Sequence, residues 1–252
     1  MLRSRLRVGV AVALLALAVS GCASPGPGRA SAAIGDDYLC TGISVPRAAV
    51  EDRVPVSAIE ERGRLVLAEA VWDDGSPVEL PPEEQWHVAI VTDDSVSIIR
   101  DLEVVADPYS STPPPDHAVM TVGWVDDATN LEPGWYIRQS SRCALSVDLG
   151  DLTVPEIALQ APPSPEAEEL SLLVTESSCN SGEDAEGRIE VVSIDETDTE
   201  VSLVLGVRPR DGMQNCPSNP ATPFTVTLVE PLGGRQVLDA GLAEPRPLLV
   251  AE

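Results

Sequence analysis

The stretch RIEVVSIDETDTEVSLVLGVR, residues 188–208, decides the fold class. Two runs rich in Val, Ile and Leu flank the polar segment Asp195-Glu196-Thr197-Asp198-Thr199, and neither run is long enough to complete a typical helix. β-branched residues pack well on a pleated surface, and the acidic interruption is poor in side chains that could extend an apolar face. The stretch predicts a hairpin of strands 188–195 and 200–208. Downstream, Val226 and Leu228 alternate with Thr225, Thr227 and Val229, the period of a strand with one buried face. Further strands are expected at 170–176, 224–230 and 235–238, with Gly233-Gly234 as a tight two-residue turn. The end of the chain, with Pro245 and Pro247, is expected along a sheet edge or without regular structure.

The same signals extend towards the N-terminus. Strands are expected at 64–72, 86–92, 96–106, 118–125, 134–139 and 143–149, with one helical turn at 57–62 capped by Ser57. Asp73-Asp74-Gly75, Pro81-Pro82, Asp93-Asp94 and Pro113-Pro114-Pro115 provide turn chemistry between them. The fold class predicted is all-β: two small disulfide-bearing domains, sandwich-like or open-sheet, after a flexible tether. The first covers 38–152 and the second 170–252. Residues 153–169, with Pro162-Pro163-Ser164-Pro165, read as a Pro-rich linker held extended.

Cys40, Cys143, Cys179 and Cys216 are an even set, and four cysteines allow three pairings. Cys40 with Cys143 and Cys179 with Cys216 is preferred because it places one bridge in each half. Metal binding competes weakly, since no Cys-x-x-Cys pair occurs and neither His87 nor His117 stands at zinc-ligand spacing from a cysteine. No metal and no cofactor is expected.

The N-terminus gives an address. Arg3, Arg5 and Arg7 precede an apolar run of 12 residues, 8–19, that ends in Val19-Ser20-Gly21-Cys22. The run is short of the roughly 20 residues a membrane-spanning helix requires. A basic start, an apolar stretch and small residues before a cysteine resemble the lipobox of bacterial lipoproteins. That resemblance implies removal of residues 1–21 as a signal peptide and lipidation of Cys22. Residues 22–37, rich in Ala, Ser, Pro and Gly, then form a tether that lifts the folded part off the bilayer. The implied location is the extracytoplasmic face of the cell membrane, where disulfides persist. All 16 basic residues are Arg, and with the abundance of Ala, Val, Gly and Pro this resembles the usage of high-GC genomes. Together with the Cys179–Gly233 region, which contains Asp184-Ala185-Glu186-Gly187-Arg188 and Cys216-Pro217-Ser218-Asn219-Pro220, the chain resembles uncharacterised actinobacterial secreted lipoproteins. The resemblance carries no activity.

Charge restricts the partners. After residue 21, thirteen arginines stand against 41 acidic residues, a formal charge of −28. Phosphate backbones and anionic headgroups would repel such a surface, which argues against nucleic acid and leaves the acyl chains to hold the membrane. A cell-envelope protein or polymer is the expected partner.

No catalytic signature stands out. Gly-x-Ser-x-Gly is absent, and neighbours such as Asp116 and His117 point apart on an extended chain. A hydrolase with a nonstandard site near Asp116 and His117 is the alternative reading. The acidic runs at 36–37, 73–74, 93–94, 126–127 and 195–200 lack the spacing of a calcium loop and read as solvated turns. Trp72, Trp86, Trp124 and Trp135 are expected mainly as core. A sugar-stacking platform, making the protein a carbohydrate-binding lipoprotein, is the competing view. The overall expectation is a non-enzymatic, membrane-anchored binding or accessory module.

Overall fold

The computed structural model describes residues 34–59, 61–80, 82, 85–105, 113–126 and 131–251; Cys22, the lipobox and most of the expected tether lie outside them. The predicted hairpin is present. Ile189–Glu196 (β10) pairs antiparallel with Glu200–Val207 (β11), and at the tip the Thr197 hydroxyl accepts hydrogen bonds from the Thr199 and Glu200 amides at 3.3 and 3.1 Å.

β11 buries both faces, as a continuous apolar run in an interior strand should. Val201, Leu203, Leu205 and Val207 enter one core, where they meet Leu170, Leu172 and Val174 of β9 (Glu169–Thr175) and Val226 of β12 (Thr222–Thr227). The C-terminal half is therefore a sandwich of two sheets. One has the order β10-β11-β13-β14, with β13 at Gln236–Asp239 and β14 at Arg246–Pro247, and the other the order β12-β9-β8, with β8 at Glu156–Leu159. The Gly233-Gly234 turn does not close a hairpin. β12 pairs with β9, while β13 runs parallel to β11, so the turn is part of a crossover between sheets. Arg235 pins that crossover: its guanidinium reaches the Glu196 carboxylate at 2.7 Å and the carbonyls of Glu230, Pro231 and Leu232. Gly233 takes a φ of +62° there, which favours glycine.

The N-terminal half holds a four-stranded antiparallel sheet in chain order: β3 (His87–Val91), β4 (Ser95–Asp101), β5 (His117–Val125) and β6 (Gly134–Cys143). Its two faces are covered differently. Ala118, Met120 and Val122 face Val66 and Leu67 of a helix and Ala70 just after it, whereas Val119 and Ile99 face Cys40 and Val45. Those last two belong to a small sheet of order β2-β1-β7, comprising Asp37–Cys40 (β1), Ile43–Pro46 (β2) and Ser146–Val147 (β7).

Three further parts of the fold differ from expectation. Residues 64–72, expected as a strand, lie mainly in the helix α2 (Glu61–Glu69), and Ser57 sits inside a 3-10 turn, Val56–Ala58, rather than capping a helix. Apart from β-branched Val66, the run Arg-Leu-Val-Leu-Ala-Glu consists of good helix formers, and burial of Val66, Leu67 and Ala70 beside exposed Leu65, Ala68 and Glu69 is a helical face. A second short helix, α1 (Arg47–Glu51), was not expected.

Secondly, residues 153–169 are not an extended linker. Thr153 and Val207 exchange two backbone hydrogen bonds of 2.9 Å, and β8 adds to the edge of β9 with Leu159 in the core. The prolines remain outside the ladder, at 155 and 162–165, which lets the four residues of β8 pair.

Thirdly, the halves at 38–152 and 170–252 share a core. Val204 of β11 joins Cys40, Ile99, Val119, Leu145, Leu149 and Leu152 in one cluster, and Ala240 packs on it. Gly206 makes room for the joint, since a Cβ there would lie 2.6 Å from a Leu152 methyl. Two disulfides, Cys40–Cys143 and Cys179–Cys216, follow the preferred pairing. The first ties β1 to the end of β6, and the second closes the loops beside a buried ion pair of Glu176 with Arg188, bidentate at 2.9 and 2.6 Å. Among the described residues no helix is long and apolar enough to cross a membrane.

Candidate functional site

Asp116 and His117 meet after all, but inside the protein. Each is 5% exposed. Asp116 precedes β5, and the His117 ring folds back so that Nδ1 donates to Asp116 Oδ1 at 2.5 Å. The same oxygen accepts the Leu145 amide at 3.1 Å, and Oδ2 accepts Arg246 at 2.7 Å. On the other side of the ring, His117 Nε2 lies 3.4 Å from Asp101, which in turn accepts Arg53 at 2.7 Å. Both histidine nitrogens therefore face carboxylates. Burial works against the charged form of Asp116, yet the His117 hydrogen bond and charge, the Leu145 amide and Arg246 outweigh it and hold the carboxyl below its usual range. The arrangement can carry structural charge; it places neither histidine nitrogen on a hydroxyl or thiol nucleophile.

Arg246 is the element that sequence reading missed. It stands on β14, the two-residue edge strand near the chain end, opposite Asp239 of β13. Its guanidinium also holds the Pro114 carbonyl at 3.2 Å, so the last strand of the C-terminal half locks the segment that leads into β5. Asp239 is buried and accepts the Gly241 amide at 2.9 Å. Burial raises its pKa to about 6, against the Gly241 hydrogen bond and the Arg246 charge. A carboxyl that holds its proton better when folded makes the native state lose stability as pH rises from about 4 to about 6. Asp239→Asn keeps an acceptor for Gly241 and removes that slope. The variant is expected to be more stable than the parent at pH 7 by on the order of 2 kcal/mol, and equal to it at pH 4, in urea unfolding at the two pH values.

The tryptophans divide. Trp86 is core at 3% exposure, with Arg100 stacked 5.3 Å from its ring centre. Trp72 and Trp124 are 39% and 42% exposed, so the expectation of core packing does not hold for them. Trp124 and Trp135 are directly opposed on β5 and β6, and therefore share one face of the sheet. Their rings meet edge to face, 5.3 Å between centres at 69°. They form the wall of an open cleft of about 440 Å³ whose remaining lining is Leu65, Val66 and Glu69 of α2 and Asp93 and Asp94 of the β3–β4 turn. That turn is fixed from two sides. The Thr92 hydroxyl donates to the Asp94 carboxylate at 2.7 Å, and the Trp124 amide donates to the Asp94 carbonyl at 2.8 Å. The Trp124 indole N–H is engaged by Asp126, which orients the ring.

A second cleft, of about 320 Å³, runs between Tyr38, Arg47, Asp195, Ser202 and Ala240. Arg47 is held there by the Tyr38 ring at 4.4 Å and hydroxyl at 3.1 Å. The other acidic doublets serve local turns and strands: Asp37 accepts the Ser44 hydroxyl and Asp74 the Ser76 amide and hydroxyl. Asp127 lies outside the described residues. Among those described, no group of three or more His, Cys, Asp or Glu side chains could hold a metal ion.

The protein is thus an all-β molecule with disulfide-bearing sheets and a solvent-open cleft walled by Trp124 and Trp135. No protein-family model matches the chain, and no curated protein or solved structure matches it either.

Proposed function

We propose that the protein is a non-catalytic binding module, held at the extracytoplasmic face of the cell membrane by lipid on Cys22, with the Trp124–Trp135 cleft as its contact site. The observation that carries the reading is a solvent-open cleft walled by an edge-to-face indole pair, of which Trp124 is 42% exposed while Trp135 is partly buried against the core. Large apolar rings are normally buried, and a polar-rimmed concave site of a few hundred Å³ is the usual form of a ligand pocket. The site stands on β5, β6 and α2, whose opposite surfaces are anchored in the core, so little order is lost on binding. Two disulfides suit an oxidising compartment, and the acidic surface leaves membrane attachment to the acyl chains.

Contact through the cleft is tested by calorimetric titration of the lipidated protein with two probes, choline and N,N′-diacetylchitobiose. Binding of either probe that Trp124→Ala abolishes supports the reading, and binding of neither contradicts it. The anchor is tested separately. Cys22→Ala is expected to move the protein from the detergent phase to the aqueous phase, and continued detergent partitioning of the variant would reject lipidation.

A further inference from the structure

We infer that the Cys179–Cys216 disulfide is an exchange site: a dithiol reductant opens it in the folded protein, and its opening loosens the loops 176–188 and 208–221 while the sheets stay intact. The two bridges stand in opposite surroundings. Cys40 is fully buried and Cys143 is 8% exposed, and both belong to the central cluster around Val119 and Leu145. Cys179 and Cys216 are exposed and stand outside every buried cluster. Exchange requires a thiolate to reach a sulfur of the bridge, so access decides which bridge reacts in the native protein, and exposed bridges are the labile ones.

The chain around the bridge can give without disturbing the sheets. Residues 176–188 and 208–221 contain no strand and no helix. Their other ties include the Ser181 amide to the Asn215 carbonyl at 3.0 Å, the Ser181 hydroxyl to Gln214 at 2.8 Å, and Asn219 to the carbonyls of Glu176 and Ser178 at 2.8 and 2.7 Å. Such hydrogen bonds contribute about 1 kcal/mol each. They keep the sulfurs within reach of one another after reduction, but they do not replace a bridge that constrains the chain across 37 positions. Asn219 Oδ1 is buried with no hydrogen-bond partner, so the closed state carries a cost that admitting water relieves. The ion pair of Glu176, just after β9, with Arg188, just before β10, holds the sandwich in either state.

The reaction is two successive exchanges. A thiolate of the dithiol attacks one sulfur, the S–S bond breaks, and the other cysteine leaves as a thiolate that takes up a proton. The second thiol of the reductant, once deprotonated, attacks the mixed disulfide, expels the remaining cysteine and closes the reductant's own disulfide. The bridge gains two electrons and two protons, and the dithiol loses both.

Dithiothreitol is the probe. The full-length protein is treated with it in the absence of denaturant, pulse-alkylated with iodoacetamide and digested, and the labelled peptides are assigned by mass. Cys179 and Cys216 are expected to be labelled at least about tenfold faster than Cys40 and Cys143, with the far-ultraviolet circular dichroism unchanged, and oxidised glutathione should restore the bridge. Trypsin cleavage after Arg210, which is paired with Glu183 at 2.7 Å in the closed loop, should rise about tenfold in the selectively reduced protein. Equal labelling of the two bridges would overturn the inference. So would a Cys179–Cys216 bridge that opens only in urea or only with loss of the dichroism signal, and so would reduction that leaves cleavage after Arg210 unchanged.

Discussion

Replacing Cys40 and Cys143 together by alanine is expected to lower the unfolding free energy by about 4 to 5 kcal/mol. The bridge closes a loop across 103 positions, and the entropy withheld from the unfolded chain grows with the logarithm of that length. Cys40 is fully buried in the central cluster beside Val204, so the bridge also fixes β1 against the sheet that carries the cleft. Removing Cys179 and Cys216, 37 positions apart, should cost slightly less, about 4 kcal/mol. Urea unfolding of the two double variants measures both. A loss under about 1 kcal/mol for the first would show that β1 docks without the bridge.

The second large effect falls on Asp116. Asp116→Ala leaves the Leu145 amide, the His117 ring and the Arg246 guanidinium without their shared acceptor, and a buried pair broken on one side costs about 3 to 5 kcal/mol. Replacing Arg246 by Met as well should restore part of the loss, because the orphaned charge is gone. The sign of the pH dependence follows from the lowered pKa of Asp116. Its contribution is fully present above the ordinary value of 3.8 and disappears as pH falls through the lower folded value. The parent should therefore be markedly more acid-sensitive than the double variant. Equal sensitivity in acid titrations followed by circular dichroism would contradict the network.

These two sites show where the sequence was informative. Strands 188–195 and 200–208 were legible because apolar runs and a polar tip report local structure directly. Disulfide pairing was legible because each bridge stays within one half. The boundary between halves was not. Val204 occupies the same run as Leu203 and Leu205, and nothing local reveals that it faces a different core. Residues 64–72 failed for a related reason: a short apolar run fits either period, and packing of Val66, Leu67 and Ala70 on β4 and β5 decides it. Asp116 and His117 were noticed for the wrong role, since their partner Arg246 lies 130 positions away on a two-residue strand. The cleft was half legible. Its tryptophans were marked as core or platform, but Glu69 reaches them only because 61–69 is a helix.

The tryptophans also offer the most direct test of the cleft as the contact site. In a proton–nitrogen NMR spectrum of the labelled, lipidated protein, the four indole N–H groups give separate resonances. Saturation with the probe that binds, choline or N,N′-diacetylchitobiose, should shift those of Trp124 and Trp135 and leave buried Trp86 in place. If the resonances of Trp124 and Trp135 stay fixed at saturating probe, the cleft is not where the ligand binds.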